Sequence, residues 1–547
     1  MGLSPGRESS FRRVKDLPHI RRQSRGQLLI KMKTKLLLIT TLVFIAATGC
    51  TAEVILPDVI SEAMVIQRDR SVPIWGQADP GEPVTVRFAG QSKETIAGSD
   101  GKWLVKLDAV HASAAPATMT ISGKNTIELK NILVGEVWLV AGQSNMQRLL
   151  SETANGDAAI ASANYPMIRL FNVSRQVAFR HQQGPLAIWQ VCAPESVTQF
   201  SAAGYYFGVE LQKELKVPIG LINSSYGGSQ AEAWTPVEYL LASADLKPTV
   251  ERTKIWDEER PRVKAQYEEQ LNQWRSDTEK AKAAGARPQP SPAVPDALRE
   301  YRIASSIYNG MIAPLIPFSI RGAFWYQGES NEARAQQYEI LLPTMIRAWR
   351  ERWGQGDFPF GIIQLPNYRD PKDDPADEPW SHVREAQRRT AASTPNAGLI
   401  VTIDIGEARD IHPKNKLDLG RRMALWALVD VYGRKLTRSG PMFAKAKIAG
   451  SKIILSFDDV GQGLKIRDGD KLDEFAIAGA DHKWRWAQAK ITGKDRVEVW
   501  SDAVPQPLAV RYAFNSNSKH ANLTNETGLP AGPFRTDNWS GPTDGKR

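Results

Sequence analysis

The spacing of apolar and polar positions along the chain changes period twice. From residue 53 to about 133 the period is two: Val84, Val86 and Phe88 alternate with polar residues, and so do Trp103, Val105 and Leu107. Turn signals such as "DPGE" and "SDGK" separate these runs, which predicts a small antiparallel β-sandwich. Continuous apolar runs then occur at 137–141, 219–223, 320–326, 360–365 and 399–405, with helical stretches such as 335–352 and 416–431 between them. Strands alternating with helices predict an α/β core over 134–437, a mostly parallel sheet covered on both faces. From about residue 438 the two-residue period returns, with Leu508, Val510, Tyr512 and Phe514 on one face. A second β-sandwich is expected to close the chain.

An insertion interrupts the core at about 245–300. Residues 251–300 carry 20 charged side chains, 10 of each sign, against a chain average of 24%. Tyr267, Leu271 and Trp274 fall at i, i+4 and i+7, so one helix face docks while the rest is solvated. "GARPQPSPAVP" then breaks the helix. A solvated surface hairpin is the simpler reading of this segment, and a lid is the alternative.

Length and charge refine this picture. The 547 residues are too many for one core, so two to four domains are expected. The formal charge of +10 would point to nucleic acid if it were spread over the chain. It is not: residues 1–35 hold ten Lys/Arg against Glu8 and Asp16, or +8, which leaves about +2 for the rest. Basic stripes interleaved with aromatics are also missing, so a nucleic-acid partner is not expected. The apolar run "LLLITTLVFIAATGC" behind that basic flank is short for a bilayer span and suits a signal peptide. Residues 1–52 are therefore read as a leader, with translation starting at Met32 and the product exported to the periplasm or beyond. Lipid attachment at Cys50 competes with ordinary cleavage near Ala52. The other cysteine, Cys192, then has no partner for a disulfide and reads as a packed core thiol.

The ends of the core strands carry unusual polar clusters. "GQSNM" with Ser144 comes directly after the first apolar run, and "INSSYGGSQAEAW" with Gly227 and Gly228 contains the end of the second. "FWYQGESNEA" offers Gln327, Glu329 and Asn331, and "DIGEARDIHPKNK" supplies Asp404, Asp410 and His412. In open α/β sheets chemistry sits beyond the carboxyl ends of the strands. Acyl transfer needs a hydroxyl, an imidazole to take its proton, a third group to hold the imidazole, and amides aimed at the oxyanion. One oxyanion donor is worth about 3–4 kcal/mol. Ser144, His412, a nearby carboxylate, the Gly228 amide and the side chain of Gln327 or Asn331 complete such a set. Ser144 also precedes an expected helix, whose first amides favour negative charge.

Each signal alone is weak, since a serine before a helix is usually a cap and a glycine pair usually marks a turn. The histidines narrow the choice. His19 lies in the leader, and His111, His482 and His520 lie in the β regions. Of His181, His382 and His412, only the last comes after a strand and has an acid two residues before it.

The motifs "VWLVAGQSNM", "YGGSQAEAW", "YNGMIAPL", "RGAFWYQGESN" and "DIHPKNK", with "LPDVISEAMVIQRD" and "NETGLPAGPFRTD" at the flanks, resemble the sialic acid O-acetylesterases of the SGNH hydrolase superfamily. The resemblance spans roughly residues 54–537. It implies a three-layer, flavodoxin-like hydrolase core, no metal or other cofactor, and removal of acetyl groups from sugar hydroxyls, 9-O-acetyl sialic acid foremost. It also implies that Ser144 is the nucleophile, His412 the base and Gly228 an oxyanion donor. Two departures stand out. Arg409 occupies the position three residues before the histidine where the superfamily has Asp. Asp410 is then the first choice for the orienting acid, with Asp404 and a plain Ser–His dyad as alternatives. The third block reads Gln-Gly-Glu-Ser-Asn rather than Gly-x-Asn-Asp, so Gln327 is preferred over Asn331 as oxyanion side chain. Trp234, Trp325, Tyr326 and Arg384 are candidates for the sugar-binding rim, where Arg384 would meet a sialate carboxylate. Acetylated xylan or another polysaccharide is the rival substrate, and an inactive carbohydrate-binding scaffold is the rival of another class.

Overall fold

The computed structural model describes residues 53–180 and 187–547. The leader with Cys50, and His181, lie outside the described residues. The core sheet contains β1 (Thr126–Gly142), β2 (Tyr165–Asn172), β3 (Trp189–Cys192), β4 (Ile219–Ser225), β5 (Gly322–Tyr326), β6 (Phe360–Ile363) and β7 (Ala397–Ile400). Their order across the sheet is β7-β6-β5-β1-β4-β2-β3. All neighbours are parallel except β2 and β3. The β2–β3 pair extends one edge and was not anticipated, because β3 is four residues long and shows no clean alternation of burial.

Strand β1 explains how the first period change is built. Its first half alternates between exposed and buried positions, and its second half is buried throughout. The first half pairs antiparallel with Ser113–Ser122, and Leu133–Gly135 pair in parallel with Val65–Gln67. The second half lies between β4 and β5. One continuous strand thus passes from a half-solvated sheet into a sheet covered on both faces. The buried Glu136 marks the crossing and accepts from Gln67 Nε2 (3.0 Å), Arg68 Nε (2.5 Å) and Arg321 Nε (2.7 Å). Val72–Gln77 and Lys102–Leu107 pair separately as an antiparallel ribbon.

Alternation along β1 and β5 feeds two cores. Trp138, Val140 and Phe324 pack with α1 (Ala202–Leu215) and the later helix Lys416–Trp426. Val137, Leu139, Ala141 and Trp325 face Ala335–Trp353 and Pro379–Ser393. Aromatic contacts dominate both sides: Trp138 stacks on Phe324 at 5.1 Å, and Trp325 meets Trp349 edge-on at 5.7 Å. Such pairs add about 0.5–1.5 kcal/mol each beyond their buried area.

The insertion is a 37-residue helix, α2 (Lys247–Ala283). Trp274 Nε1 donates to Gln289 O (2.8 Å) and Tyr267 Oη to Pro292 O (3.4 Å). The apolar stripe is therefore covered by the insertion's own returning segment. Beyond the core, antiparallel sheets form from Met442–Ala449, Lys452–Asp458, Arg496–Trp500 and Gln488–Ile491, and from Arg485–Trp486, Phe475–Ala478, Ala509–Tyr512 and Phe534–Arg535. Val510, Tyr512 and Phe514 are buried, but Leu508 is 51% exposed because it precedes the strand and leaves that face.

Candidate active site

The parallel register brings three strand ends together: Gly142 of β1 pairs with Ser225 of β4 and Tyr326 of β5. Gly142 has φ +144°, and a Cβ there would lie 2.1 Å from Tyr326 O. Only glycine lets the backbone pass this close, so Gln143 N can donate to Tyr326 O (3.0 Å) and the strand can stop. The helix expected after this strand is a single turn, Ser144–Gln147, with Ser144 as its first residue. A turn this short adds little macrodipole, so individual amides carry the electrostatics. The main-chain N–H groups of Ser144 and Gly228 have no acceptor among the described residues.

The Gly227–Gly228 turn lies against this corner. Gly227 N donates to Gln147 Oε1 (2.7 Å), and a Cβ on Gly227 would be 3.4 Å from Ser144 Cβ. Gly228 has φ +75°, a conformation that favours glycine. Arg302 Nε holds Gly228 O at 3.2 Å. Beside it, Tyr301 stacks on Tyr226 with ring centroids 4.9 Å apart. Tyr301 and Arg302 come from the segment that returns from the insertion. Nothing in their local sequence signals a place at the site, because only the return path of the chain delivers them.

His412 Nε2 and Ser144 Oγ are 2.8 Å apart. The imidazole is half-buried, and burial lowers its pKa from the ordinary value, helped by the nearby Arg148 cation. It is therefore neutral at pH 7, the state that accepts a proton. Asp410 Oδ1 is 3.7 Å from His412 Nδ1, beyond hydrogen-bond distance. That same oxygen accepts from the backbone N–H of His412 at 2.8 Å. Asp404 is committed elsewhere, in a bidentate pair with Arg422 (2.6 and 2.7 Å).

Several expectations for the rest of the site are corrected. Gln327 and Asn331 are buried, and their amides brace the glycine turn from below. Gln327 Nε2 donates to Ser229 O (3.2 Å) and Asn331 Oδ1 (2.7 Å), while Asn331 Nδ2 donates to the buried Glu232 (2.9 Å). Both hydrogens of the Gln327 amide are thereby engaged. Trp234, Trp325 and Tyr326 are fully buried, as is Arg384, so none forms a rim. Arg384 donates to Leu365 O, Pro366 O, Asn515 O, Ser516 O and Asn367 Oδ1, which joins the core to the C-terminal strands. Of the other histidines, His382 is buried against Asp377 (2.6 Å) and His111 is exposed beside Asp69. Cys192 is buried, and burial pushes its thiol up to about 12.

Comparison with known proteins bears on the chemistry. The sequence model for "Carbohydrate esterase, sialic acid-specific acetylesterase" matches residues 134–284 and 296–428, more than half of the chain. The chain belongs to this family. The match spans both the β1 corner and the His412 loop. Sialate O-acetylesterases of Mus musculus and Homo sapiens are each 28% identical, over 87% of this chain and 93% and 91% of their own lengths. A carbohydrate acetylesterase from Xanthomonas citri is 35% identical, with TM-score 0.75 over 89% of this chain and all of that one. The protein is a carboxylic ester hydrolase of the carbohydrate esterase type, and family membership makes an O-acetylated sugar its substrate.

Proposed function

We propose that the protein is a serine esterase that removes O-acetyl groups from sugars through an acetyl-serine intermediate, with 9-O-acetyl sialic acid as the preferred substrate. The observation that carries this reading is the 2.8 Å approach of Ser144 Oγ to His412 Nε2, beside the unengaged amides of Ser144 and Gly228. Ser144 Oγ attacks the acetyl carbon as its proton passes to His412 Nε2, and the two amides donate to the oxyanion. His412 then returns the proton to the departing sugar oxygen. A water, deprotonated by His412, attacks the acetyl-serine, and His412 returns that proton to the departing Ser144 Oγ as acetate is released. Asp410 favours the imidazolium through its charge and anchors the His412 backbone.

Three features support the wider reading. Without the added β2–β3 pair, the parallel strands taken in chain order run 2-1-3-4-5 across the sheet, the flavodoxin-like order expected of an SGNH core. Ser144 lies beside the switch point of that order, between β1 and β5. The flanking antiparallel sheets suit β domains at 53–133 and 438–547. An exported, periplasmic or extracellular enzyme fits the leader, and among the described residues no helix is long and apolar enough to cross a membrane.

Acetylated xylan or another O-acetylated polysaccharide is the second reading; the higher identity to the Xanthomonas carbohydrate acetylesterase favours an O-acetylated carbohydrate that need not be a sialic acid. Two measurements test the proposal. Hydrolysis of an aryl acetate should be lost in Ser144→Ala, and equal rates would exclude the serine mechanism. Acetate release from 9-O-acetyl sialic acid should exceed that from acetylated xylan, and the reverse order would move the substrate to the second reading.

A further inference from the structure

The residue after the nucleophile has no part in the esterase mechanism, yet it is wholly buried and fully bonded. Asn145 Nδ2 donates to Ile411 O (2.9 Å) and to Glu329 Oε1 (2.7 Å), and Asn145 Oδ1 accepts from Lys416 Nζ (2.8 Å). Ile411 O and His412 N belong to one peptide group. Its N–H end is held by Asp410 Oδ1 at 2.8 Å. The peptide that carries the base is thus gripped at both ends, once from its own loop and once from the helical turn of Ser144.

The partners of Asn145 allow its amide one orientation. Turned over, Nδ2 would face the ammonium of Lys416, and Oδ1 would face two acceptors, Ile411 O and Glu329 Oε1. Three bonds would become three repulsions. Such an arrangement is costly to bury. Burial raises the carboxyl of Glu329 and lowers the Lys416 ammonium to about 7. Glu329 Oε2 has no partner among the described residues. An apolar cluster would pack the same space at less cost, so the network calls for a role other than stability.

Resting on the esterase reading, we infer that Asn145 is a positioning residue whose amide, oriented between Lys416 and Glu329, ties the His412 peptide to the Ser144 turn and so sets the Oγ–Nε2 approach. Lys416 and Glu329 act through it. A small drift of the base relative to the nucleophile slows the chemical step and leaves the sugar contacts alone.

The test is steady-state hydrolysis of an aryl acetate by the full chain. Asn145→Asp keeps the shape and removes the donor, so kcat should fall about 10²-fold, the cost of an ångström-scale misplacement, with KM within about threefold. Lys416→Met should lower kcat about tenfold by itself, and in the double variant kcat should fall no further than in Asn145→Asp, because the two act as one unit. Glu329→Gln retains an acceptor and should stay within about threefold of wild type. Multiplying losses in the double variant, or wild-type kcat in Asn145→Asp, would overturn the inference. Should Asn145→Asp fail to fold, Lys416→Met decides alone, since an unchanged kcat overturns it and a tenfold loss at constant KM supports it. Ser144→Ala in the same assay separates the two claims: full activity there sinks the esterase reading, whereas an inactive Ser144→Ala beside a normal Asn145→Asp sinks only this one.

Discussion

Replacing Asp410 by Asn should cost this enzyme far less than the equivalent change costs a triad with a bonded aspartate. Where the carboxylate accepts from Nδ1, the substitution drops kcat about 10⁴-fold, because the wrong tautomer is held. Here the Oδ1–Nδ1 distance is 3.7 Å, and the side chains are 36% and 30% exposed. With an effective dielectric constant of about 40–80 for such a solvated pair, the Coulomb attraction to the developing imidazolium is roughly 1–2 kcal/mol. That corresponds to a loss of about 5- to 30-fold in kcat/KM. Asparagine also retains an oxygen that can accept from His412 N, so the peptide anchor survives. Asp410→Ala removes both contributions and should be the slower variant. The assay is kcat/KM on an aryl acetate and on an acetylated sugar, with folding checked by thermal melting. A loss near 10⁴-fold for Asp410→Asn in folded protein would refute the reasoning, since it would mean that a direct Asp410–Nδ1 bond forms in the working enzyme.

Three further outcomes are expected. With His412 as the proposed base, activity should require its neutral form and rise with pH through its pKa, which burial and the Arg148 charge hold below the ordinary histidine value; Arg148→Gln should therefore move the acid limb of kcat/KM upward, and a downward move would contradict this electrostatic account. Gly228→Ala should lower kcat/KM at least tenfold, since a non-glycine residue at φ +75° costs about 1–2 kcal/mol and displaces the amide proposed as an oxyanion donor. Arg384→Met should destabilise the fold by about 3 kcal/mol or more, because buried carbonyls on two elements lose their donor; a raised KM for acetylated sialic acid without a lower melting temperature would restore Arg384 to the substrate.

Much of the architecture comes from local pattern. Period two, then runs with helices between them, then period two again predict where the parallel sheet begins and ends, because side-chain alternation is a property of each strand alone. Elimination among seven histidines leads to His412, and the residue types of Gly142–Ser144 and Gly227–Gly228 mark two strand ends. Asn145, Glu329 and Lys416 likewise stand within motifs that draw the eye, but their mutual contact does not.

Decisions that depend on which partner a group finds were left to the tertiary structure. Alternation puts Phe324 and Trp325 on opposite faces of β5, but helices cover both faces, so neither becomes a rim. Arg384 looks like a surface cation in sequence; the carbonyls of residues 515 and 516, more than a hundred positions away, make its burial tolerable. The donors of Gln327 are taken by Ser229 and Asn331, and the oxygen of Asp410 by a backbone amide. Hydrogen bonds act over about 3 Å and between segments that meet only after folding. Composition and spacing therefore name the groups able to take part, and the folded chain assigns each donor its acceptor.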